Sequence, residues 1–435
     1  MRRASLGFWT VAPATVVLAT VVFATAVFAT VACQKQRPRT DAEPVLEPTA
    51  LAAPSPIGDA SAEAQAPCGM PRELHEPGWP LRLEQTTKGA PLPEAGSLTL
   101  AVLPDTQYYV SCRSAHLRNQ AEWLAAQVQP RNIGIALTLG DLTDHNERPE
   151  WAFLKESLAP ALEALPFIFT VGNHDYGLQG SANHRTSFFD EYVPKPGPQL
   201  EPALARTMLP GKLENAYYRF AVTRGADAKL SIAPLGASRL AAQKPARQPT
   251  FVLAILSLEW GPRASTVAWA NQVLKEFPSD QRVFVSHAYL YFDDTRYDFA
   301  TRGSDQKWNP LAYGTQTNEG EDATSHDGEM LWKELIEPDS GFFLTLSGHV
   351  LGDGSAKLSS QNRAGLVVHQ LLANYQMLDE GGLGYLRLLE LSPSGNHIRV
   401  HTFSPSLNLS SHAPDQEFDL ELNRSLFEPN SAKRP

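Results

Sequence analysis

Between Ser97 and Val171, short apolar runs alternate with segments whose apolar residues recur at helical spacing. Ser97 to Leu103 is a short apolar run, which predicts a buried strand. A helical pattern follows over Ser114 to Val128, and a second apolar run covers Ile133 to Leu139. The alternation repeats with a helix over Pro149 to Ala164 and a strand over Phe167 to Val171. Such an order predicts βαβ units and a largely parallel sheet.

Further along the chain, strands outnumber helices. Seven later strands are predicted over Ala216 to Val222, Thr250 to Leu258, Arg282 to Ser286, Phe342 to Leu346, Gly365 to Leu371, Tyr385 to Leu391 and His397 to Phe403. Helices are predicted over Ser265 to Phe277 and Asp327 to Ile336, and long loops over Arg224 to Pro249 and Tyr289 to Ser325. One part of the fold is therefore expected to be doubly wound, and another part is expected to be an antiparallel sheet. An α/β fold with two sheets packed face to face and helices outside accommodates both.

The amino terminus predicts export. Arg2 and Arg3 precede an apolar run from Leu6 to Ala32, which ends at Cys33. This is the order of a secretory signal, and the small residues before the cysteine resemble a bacterial lipoprotein signal. An uncleaved transmembrane anchor is the alternative, because the run exceeds the roughly 20 residues that span a bilayer. Both interpretations place the protein in the cell envelope, held at the membrane by lipid on Cys33 or by a transmembrane segment.

Composition divides the rest of the chain. Residues 1–33 form the signal or anchor, and residues 34–96 are rich in Pro, Ala and Glu, which predicts a flexible linker. A folded domain is expected over residues 97–405, followed by a C-terminal tail over residues 406–435. Hydrophobic residues at 43% and charged residues at 19% are compatible with a sizeable core in that domain.

Charge and cysteine content narrow the chemistry. The net charge of -10 and the lack of a dense basic run argue against a nucleic-acid backbone as the main partner. An anionic substrate stays compatible, because a bound metal reverses the local field. The three cysteines, Cys33, Cys68 and Cys112, do not have the spacing of a zinc site. With Cys33 lipidated, Cys68 and Cys112 would either pair in an oxidising compartment or stay apart.

Polar side chains suited to metal binding follow five of the predicted strands. They occur in Asp105-Thr106-Gln107, Gly140-Asp141-Leu142-Thr143-Asp144, Gly172-Asn173-His174-Asp175, Ser286-His287 and Gly348-His349. A single Asp after a strand is usually a helix cap or a turn former, and a single His is usually a hydrogen-bonded residue. The shared placement of all five favours a common site at the carboxyl ends of strands, where α/β proteins bind ligands.

The order of these motifs resembles the calcineurin-like metallophosphoesterase superfamily, whose pattern is DxH, GDxxD, GNH[DE], a later His and GHxH. The match runs from about Leu98 to Ser404, and GNHD after an apolar strand is its most specific part. The stretches PDTQYY, GDLTDH, SGHVLGDG and LLANYQ resemble an exported branch of that superfamily. The resemblance implies a four-layer α/β/β/α sandwich and hydrolysis of phosphate esters.

The resemblance also implies a centre of two metal ions. Asp141 would bridge them, with Asp105 and Gln107 on the first ion. The remaining ligands of the second ion would be Asn173, His287 and His349. Mixed oxygen and imidazole ligands suit Mn, Fe or Zn. Two ions about 3.5 to 4 Å apart can hold the attacking and leaving oxygens of a displacement and generate hydroxide near neutral pH.

A proton donor is implied beside the metals. His174 follows a ligand, and in the family it protonates the departing oxygen or stabilises its charge. Asp144 matches the family residue that orients this histidine. The alternative is that His174 only forms a hydrogen bond within a turn.

Two positions depart from the family pattern. Gln107 stands where many members have His, and Leu351 occupies the place of the second His in GHxH. Since leucine offers no ligand, the first ion would bind weakly, arrive with substrate or take a ligand from elsewhere. His145, Asp353 and His369 are candidates for that ligand, although ordinary surface or turn positions are favoured for all three. A centre that holds a single metal tightly is the rival interpretation.

These observations predict hydrolysis of a phosphomonoester or phosphodiester by metal-bound hydroxide. In the loop after His287, Tyr289, Tyr291, Asp293 and Arg296 would face the substrate, with Arg296 suited to a bidentate phosphate contact. A solvated loop is the alternative. The alternative function is a catalytically silent, metal- or ligand-binding surface lipoprotein on the same fold.

Overall fold

The computed structural model describes residues 83, 85–238, 250–316, 322, 324–352 and 354–428. The predicted signal or anchor over residues 1–33, most of the predicted linker and Asp353 therefore lie outside the described residues. Within these ranges, every helix is too short or too polar to cross a bilayer.

Strands supply the frame of the domain. In chain order they are β1 (Thr86–Lys88), β2 (Leu98–Leu103), β3 (Ile133–Thr138), β4 (Phe167–Ile168), β5 (Leu204–Thr207), β6 (Ala216–Arg224), β7 (Leu230–Pro234), β8 (Thr250–Ser257), β9 (Gln281–Val285), β10 (Phe342–Ser347), β11 (Ser355–Gln361), β12 (Val367–Ala373), β13 (Leu386–Leu391), β14 (His397–Ser404), β15 (Leu409–Ser411) and β16 (Phe418–Glu421). The helices are α1 (Gln107–Ser111), α2 (Ala115–Gln127), α3 (Arg148–Ala164), α4 (Phe189–Tyr192), α5 (Ala264–Glu276), α6 (Phe299–Arg302), α7 (Gly328–Leu331) and α8 (Asp379–Gly382).

The strands form two mixed sheets. The first has the order β1-β15-β14-β13-β2-β3-β4, with β16 beside β14, and its strands β2, β3 and β4 are parallel. The second has the order β11-β12-β10-β9-β8-β6-β5, with β7 beside β6, and β8, β9, β10 and β12 are parallel. Each sheet therefore combines a parallel part with antiparallel edges, as the sequence predicts.

The core lies between the sheets and under the helices. Leu98, Leu100 and Val102 of β2 belong to one buried cluster together with Ile255 and Val283 of the opposite sheet. The alternate residues of β2 pack outward in a second cluster with the buried faces of the helices. Since the strands of the parallel parts are covered on both faces, most of their residues are apolar. These layers confirm the α/β class of two face-to-face mixed sheets flanked by helices.

The structure differs from the sequence prediction mainly at the sheet edges. Residues 406–435, predicted as a tail, contribute β15 and β16, which both pair with β14. In the predicted linker, β1 pairs with β15. The predicted strand from Phe167 to Val171 pairs only over Phe167–Ile168. The predicted loops contain β7 and α6. These short elements depend on a neighbouring strand or on packing and have little apolar pattern of their own.

Cys112 follows α1 and is disulfide-bonded. The other two cysteines, Cys33 and Cys68, lie outside the described residues. The pairing of Cys68 with Cys112 stays a prediction.

Candidate metal centre

The parallel strands of both sheets end at a common edge. Asp105 follows β2, Asp141 follows β3, Asn173 follows β4, His287 follows β9 and His349 follows β10. Ligand atoms of Asp141, His287 and His349 all lie within 4.8 Å of one another, and the three residues are buried. The topology therefore brings residues from distant parts of the chain into one group, as the motif spacing predicts.

Four polar atoms at this edge are buried without a hydrogen-bond partner. They are Oδ1 of Asp105, Oε1 of Gln107, Oδ1 of Asn173 and Nε2 of His287, the last of which lies 3.1 Å from Oδ2 of Asp141 without the geometry of a hydrogen bond. Leaving one such atom unpaired costs about 1 to 3 kcal/mol. All four are atoms through which these residue types bind cations. The donor set thus fits a metal centre, and a bound cation would give each atom its missing partner.

Both imidazoles are oriented by backbone carbonyls. Nδ1 of His287 lies 2.7 Å from the carbonyl oxygen of Leu139, and Nε2 of His349 lies 2.7 Å from that of Trp308. A ring N–H that donates to a carbonyl fixes the tautomer and leaves the other nitrogen as an electron-pair donor. This leaves Nε2 of His287, which is 3.1 Å from Oδ2 of Asp141, and Nδ1 of His349 for a cation.

The glycines of the motifs leave room for the carboxylates. A Cβ on Gly172 would lie 2.2 Å from Oδ1 of Asp141, and a Cβ on Gly348 would lie 2.1 Å from Oδ1 of Asp105. Asp141 and His349 also have positive φ angles of 44° and 74°. Such conformations cost non-glycine residues about 1 to 3 kcal/mol and persist where the surroundings enforce them. The close packing and the backbone strain both fix the positions of the polar groups.

Asn374 is a supporting residue to which the sequence analysis assigned no role. Its Nδ2 donates to Oδ2 of Asp105 at 2.9 Å and to the carbonyl oxygen of His349 at 3.1 Å. The backbone N–H of His349 donates to the same Oδ2 at 3.0 Å. Asp105 is thus held through Oδ2 while Oδ1 stays unpaired. Asn374 belongs to LLANYQ and follows β12, so its place at a strand end was the available signal.

Asp175 ties two of the motif loops together. Its carboxylate accepts backbone N–H groups from Leu142 at 3.1 Å, Thr143 at 2.9 Å and Gly172 at 2.8 Å. Burial, and then the charge of Asp141, raise the pKa of Asp175 to about 7, although the backbone donors oppose the shift. The carboxylate therefore fixes the Asp141 loop against the loop that carries Asn173.

Two buried carboxylates compete for negative charge in this group. Burial raises the pKa of Asp105 to about 7; His287 opposes the shift and Asp141 adds to it. Burial alone would also raise the pKa of Asp141, but His287 and His174 hold that pKa well below its usual range. A cation between two such carboxylates would relieve their repulsion.

His174 lies where the centre meets solvent. Its side chain is 33% exposed, whereas those of Asp141 and His287 are at most 2% exposed. Nδ1 of His174 lies 2.8 Å from the carbonyl oxygen of Asp144 and 3.4 Å from Oδ1 of that residue. Burial lowers the pKa of His174, but Asp141 and the bonds to Asp144 outweigh this effect and raise it to about 10. Asp141 and Asp144 thus favour the protonated form of this ring.

Asp144 orients Gln107 as well. The Nε2 of Gln107 donates to Oδ1 of Asp144 at 3.3 Å. Because this bond decides which way the amide points, Oε1 of Gln107 is the atom left unpaired. One carboxylate thus positions both the histidine and the glutamine that the motifs place here.

The further ligand candidates lie outside the buried group. Both ring nitrogens of His369 are occupied, by Oγ of Ser359 at 2.8 Å and the carbonyl oxygen of Glu421 at 3.1 Å. His145 is half exposed, and its Nδ1 lies 2.9 Å from Oε1 of Glu150. Leu351 is buried and offers no ligand atom.

The prediction that Arg296 faces a phosphate is wrong. Its Nε lies 2.6 Å from Oε2 of Glu329, and its Nη1 lies 3.0 Å from Oε1 of Gln370. Tyr289 from the same loop is fully buried. This loop instead contacts His349 through the carbonyl group of Trp308 and through the rings of Tyr297 and Tyr313.

An aromatic wall stands behind the imidazoles. The ring of Trp260 lies 4.8 Å from that of His349, and the ring of Tyr313 packs edge-on against Trp260 at 5.0 Å. The backbone of Trp260 is held by Arg185, whose Nη1 donates to its carbonyl oxygen at 2.5 Å. Arg185 in turn lies 3.5 Å from the buried carboxylate of Glu259. This side of the centre is therefore closely packed and held by a network of polar contacts.

A known protein family matches this arrangement. The model of the calcineurin-like phosphoesterases matches residues 98–353, which is more than half of the chain. The chain belongs to the calcineurin-like phosphoesterases. Membership supports hydrolase chemistry in general, and proteins of this family typically depend on two metal ions.

One curated relative is similar along most of the chain. The uncharacterized protein YvnB of Bacillus subtilis (strain 168) is 24% identical in an alignment of 354 residues that covers 76% of this calcineurin-like phosphoesterase. The matched part is 22% of the length of YvnB.

Solved structures are similar at low sequence identity. GAP50, the anchor in the inner membrane complex of Plasmodium, is 12% identical, with 76% of this chain and 90% of GAP50 covered and a TM-score of 0.37. Purple acid phosphatase PPD1 from yellow lupin (Lupinus luteus) seeds is 12% identical, with 77% of this chain and 55% of the phosphatase covered and a TM-score of 0.38. NAD nucleotidase (NadN) of Haemophilus influenzae is 10% identical, with 75% of this chain and 49% of NadN covered and a TM-score of 0.33.

Proposed function

We propose that this calcineurin-like phosphoesterase hydrolyses phosphomonoesters or phosphodiesters with the help of two metal ions. The observation that carries the proposal is the set of four buried, unpaired ligand atoms on Asp105, Gln107, Asn173 and His287. A protein that used this fold only as a binding platform would have no reason to keep four such atoms together, since each destabilises the fold unless a cation satisfies it.

The residues divide into two ligand sets that share one carboxylate. Asp105, Gln107 and Asp141 would hold the first ion through oxygen atoms. The second ion would be held by Asp141, Asn173, His287 and His349. This mixture of oxygen and nitrogen donors suits Mn, Fe or Zn. When bound, such a pair supplies Lewis acidity and lowers the pKa of a coordinated water toward neutrality.

The two sets are unequal in strength. The second contains two imidazoles oriented by backbone carbonyls, whereas the first contains only oxygen donors and no ligand from Leu351. We therefore expect tight binding of one ion and weaker binding of the other. Metal counting on dialysed protein tests this: one equivalent should persist after dialysis, and the second should return when metal is added. Two equivalents retained equally would contradict the inequality.

His174 would act as the proton donor. It is the solvent-facing group beside the ligands, and Asp144 holds it through Nδ1, which leaves Nε2 directed away from that bond. From this position it would give a proton to the departing alkoxide oxygen of the substrate, which makes that oxygen a better leaving group. Asp144 is a positioning residue, since it acts through His174.

A substrate screen tests the proposal. Phosphomonoesters and phosphodiesters are assayed with added Mn, Zn or Fe, and the variants His174→Ala and Asp141→Asn are compared with the parent protein. We expect a loss of at least about 100-fold in kcat for each variant, since positioned proton transfer alone contributes 10²- to 10⁴-fold. His397→Ala, a histidine on β14 that pairs with Asp419, serves as the matched control and should keep its turnover. Turnover that survives in either site variant would refute the assigned role.

We also propose that the enzyme works outside the cytoplasm on a membrane tether. The disulfide at Cys112 supports this, because disulfides persist in oxidising compartments. Fractionation of cells tests the tether: a lipid-anchored protein should leave the membrane fraction when Cys33 is replaced by Ser, whereas a transmembrane anchor should not respond to that change. A cytoplasmic protein with reduced cysteines would overturn the proposal.

A further inference from the structure

A second cavity lies apart from the metal centre, beside β4 and between α3 and α4. Its volume is about 230 Å³, and none of the proposed metal ligands lines it. An engineered apolar cavity of about 150 Å³ is large enough to bind benzene. The space is therefore sufficient for a ring system larger than one benzene ring.

Six aromatic rings form the walls of this space, which we call the aromatic cavity. They belong to Trp151, Phe167, Phe169, Phe189, Tyr192 and Tyr218. The rings of Phe167 and Phe169 lie 5.0 Å apart, Trp151 meets Phe189 at 6.0 Å, and Trp151 is nearly parallel to Tyr192 at 6.5 Å. Five of the six, all except Tyr192, are buried core side chains, so the walls exist before any ligand arrives.

The walls present little besides hydrocarbon. The one indole N–H among them, on Trp151, donates to Oδ1 of Asn146 at 3.0 Å and is thus satisfied elsewhere. Leu154, Leu162 and Leu213 complete the lining. Besides the hydroxyl groups of Tyr192 and Tyr218, an apolar guest would meet mainly hydrocarbon here.

The rim carries positive charge and a stiff segment. Lys155 of α3 and Lys195 are exposed residues of the lining, and neither forms an ion pair within the described ranges. Lys195 lies between Pro194 and Pro196, and the restricted φ angle of proline limits the backbone conformations of this segment. By contrast, nearby Lys212 is paired with Asp190. Two unpaired cations at one rim are notable in a chain of net charge -10.

We propose that the aromatic cavity binds a small planar aromatic anion, that is, a fused or single ring that carries a carboxylate. The ring would lie against the aromatic walls in offset or edge-on contacts, and the carboxylate would remain at the rim next to Lys155 and Lys195. Aromatic walls also suit organic cations, but two lysines at the entrance repel them. The charge of the rim therefore decides in favour of an anion.

The test measures binding to the metal-free, full-length protein in lipid nanodiscs, with empty nanodiscs subtracted. The probes are 2-naphthoate, its uncharged analogue 2-naphthalenemethanol, and decanoate as an alkyl anion. We expect one 2-naphthoate per chain. Leu162→Trp, which places a larger side chain at a partly buried lining position, should weaken binding at least tenfold. Replacement of Lys155 and Lys195 by Ala should weaken 2-naphthoate about five- to tenfold and leave 2-naphthalenemethanol unchanged.

The controls separate the proposal from its rivals. Lys229→Ala removes an exposed lysine at a different cavity and should change nothing. If Leu162→Trp unfolds early in a thermal melt, the lysine variants still carry the test. Absence of 2-naphthoate binding, an equal loss for charged and uncharged probes in the lysine variants, or tighter binding of decanoate would each overturn the proposal. Since no metal or turnover is involved, these outcomes are independent of the hydrolytic function.

Discussion

Replacement of Gly172 by alanine is the sharpest perturbation of the centre. The backbone of Gly172 has no positive φ, so alanine fits its conformation without strain. The added Cβ, however, would lie 2.2 Å from Oδ1 of Asp141 and 2.2 Å from its backbone nitrogen. Ordinary van der Waals contact begins near 3.4 Å, so the two groups must separate by more than 1 Å.

The size of the effect follows from that displacement. Metal sites tolerate ligand shifts of about 0.2 Å, and a misplacement of about 1 Å at a reacting centre costs about 100-fold in rate. We therefore expect Gly172→Ala to lower kcat/KM by at least about 100-fold, which corresponds to about 2.7 kcal/mol of transition-state stabilisation. Because Asp141 is the proposed shared ligand of both proposed ions, the binding of both should be affected, and metal content should fall together with the rate.

Two further variants make the assay specific. In Gly197→Ala the nearest atom to the new Cβ is the carbonyl oxygen of Leu162 at 3.4 Å, so this control should keep full metal content and activity. Gly348→Ala places its Cβ against Oδ1 of Asp105 and should deplete mainly the weaker ion. Metal is measured by plasma mass spectrometry and folding by thermal melts. A folded Gly172→Ala protein with full metal and a rate within twofold of the parent would refute the steric argument.

Three other predictions follow from the contacts around the centre. Asn374→Ala removes the amide that holds Asp105, so a metal titration should show about 10- to 100-fold weaker binding; unchanged affinity would contradict the positioning role. Removal of metal by a chelator should abolish turnover. It should also lower the free energy of unfolding by about 2.7 kcal/mol relative to protein with metal at 100 times its Kd, and both effects should be reversed when metal is added back. An unchanged melting curve would count against a bound cation. Glu259→Gln leaves Arg185 and Arg263 without their buried carboxylate and should cost about 3 kcal/mol at pH 7. Although burial raises the pKa of Glu259, the two arginines hold that pKa below its ordinary value of 4.5. The stabilisation by the Glu259 carboxylate is therefore present above pH 4.5 and is lost as the pH falls further. Urea melts of parent and variant should converge in acid, and a difference that stays constant with pH would contradict this.

The polar motifs could be located from sequence because each directly follows an apolar strand. The run over β2 predicts a strand end near Asp105, and the run over β3 does the same for Asp141. Their meeting point required only the rule that parallel strands end at one edge. Asn374 also follows an apolar strand, but that position alone does not show which side chain it supports. Its role depends on the pairing of β12 with β10, and nothing local to LLANYQ encodes that pairing.

Long-range partners explain the remaining differences. Arg296 resembles a phosphate-binding residue in its loop, but Glu329 and Gln370, which satisfy it, are distant in sequence. The segment from residue 406 has few apolar residues, and its strands form because the edge of β14 that β13 does not occupy is available for pairing. Such contacts are decided by topology, whereas periodicity reports only on the local chain.

The contact between Trp308 and His349 has a consequence for how such an enzyme can diversify. The atom that sets the tautomer of His349 is a main-chain oxygen, which every amino acid possesses. Mutations can therefore exchange the side chain at position 308, at the rim of the centre, without removing the group that orients the ligand. The side chain at position 308 can therefore change in evolution while the orientation of His349 is kept. Substrate choice and metal binding could in this way evolve separately, although both would depend on the same loop.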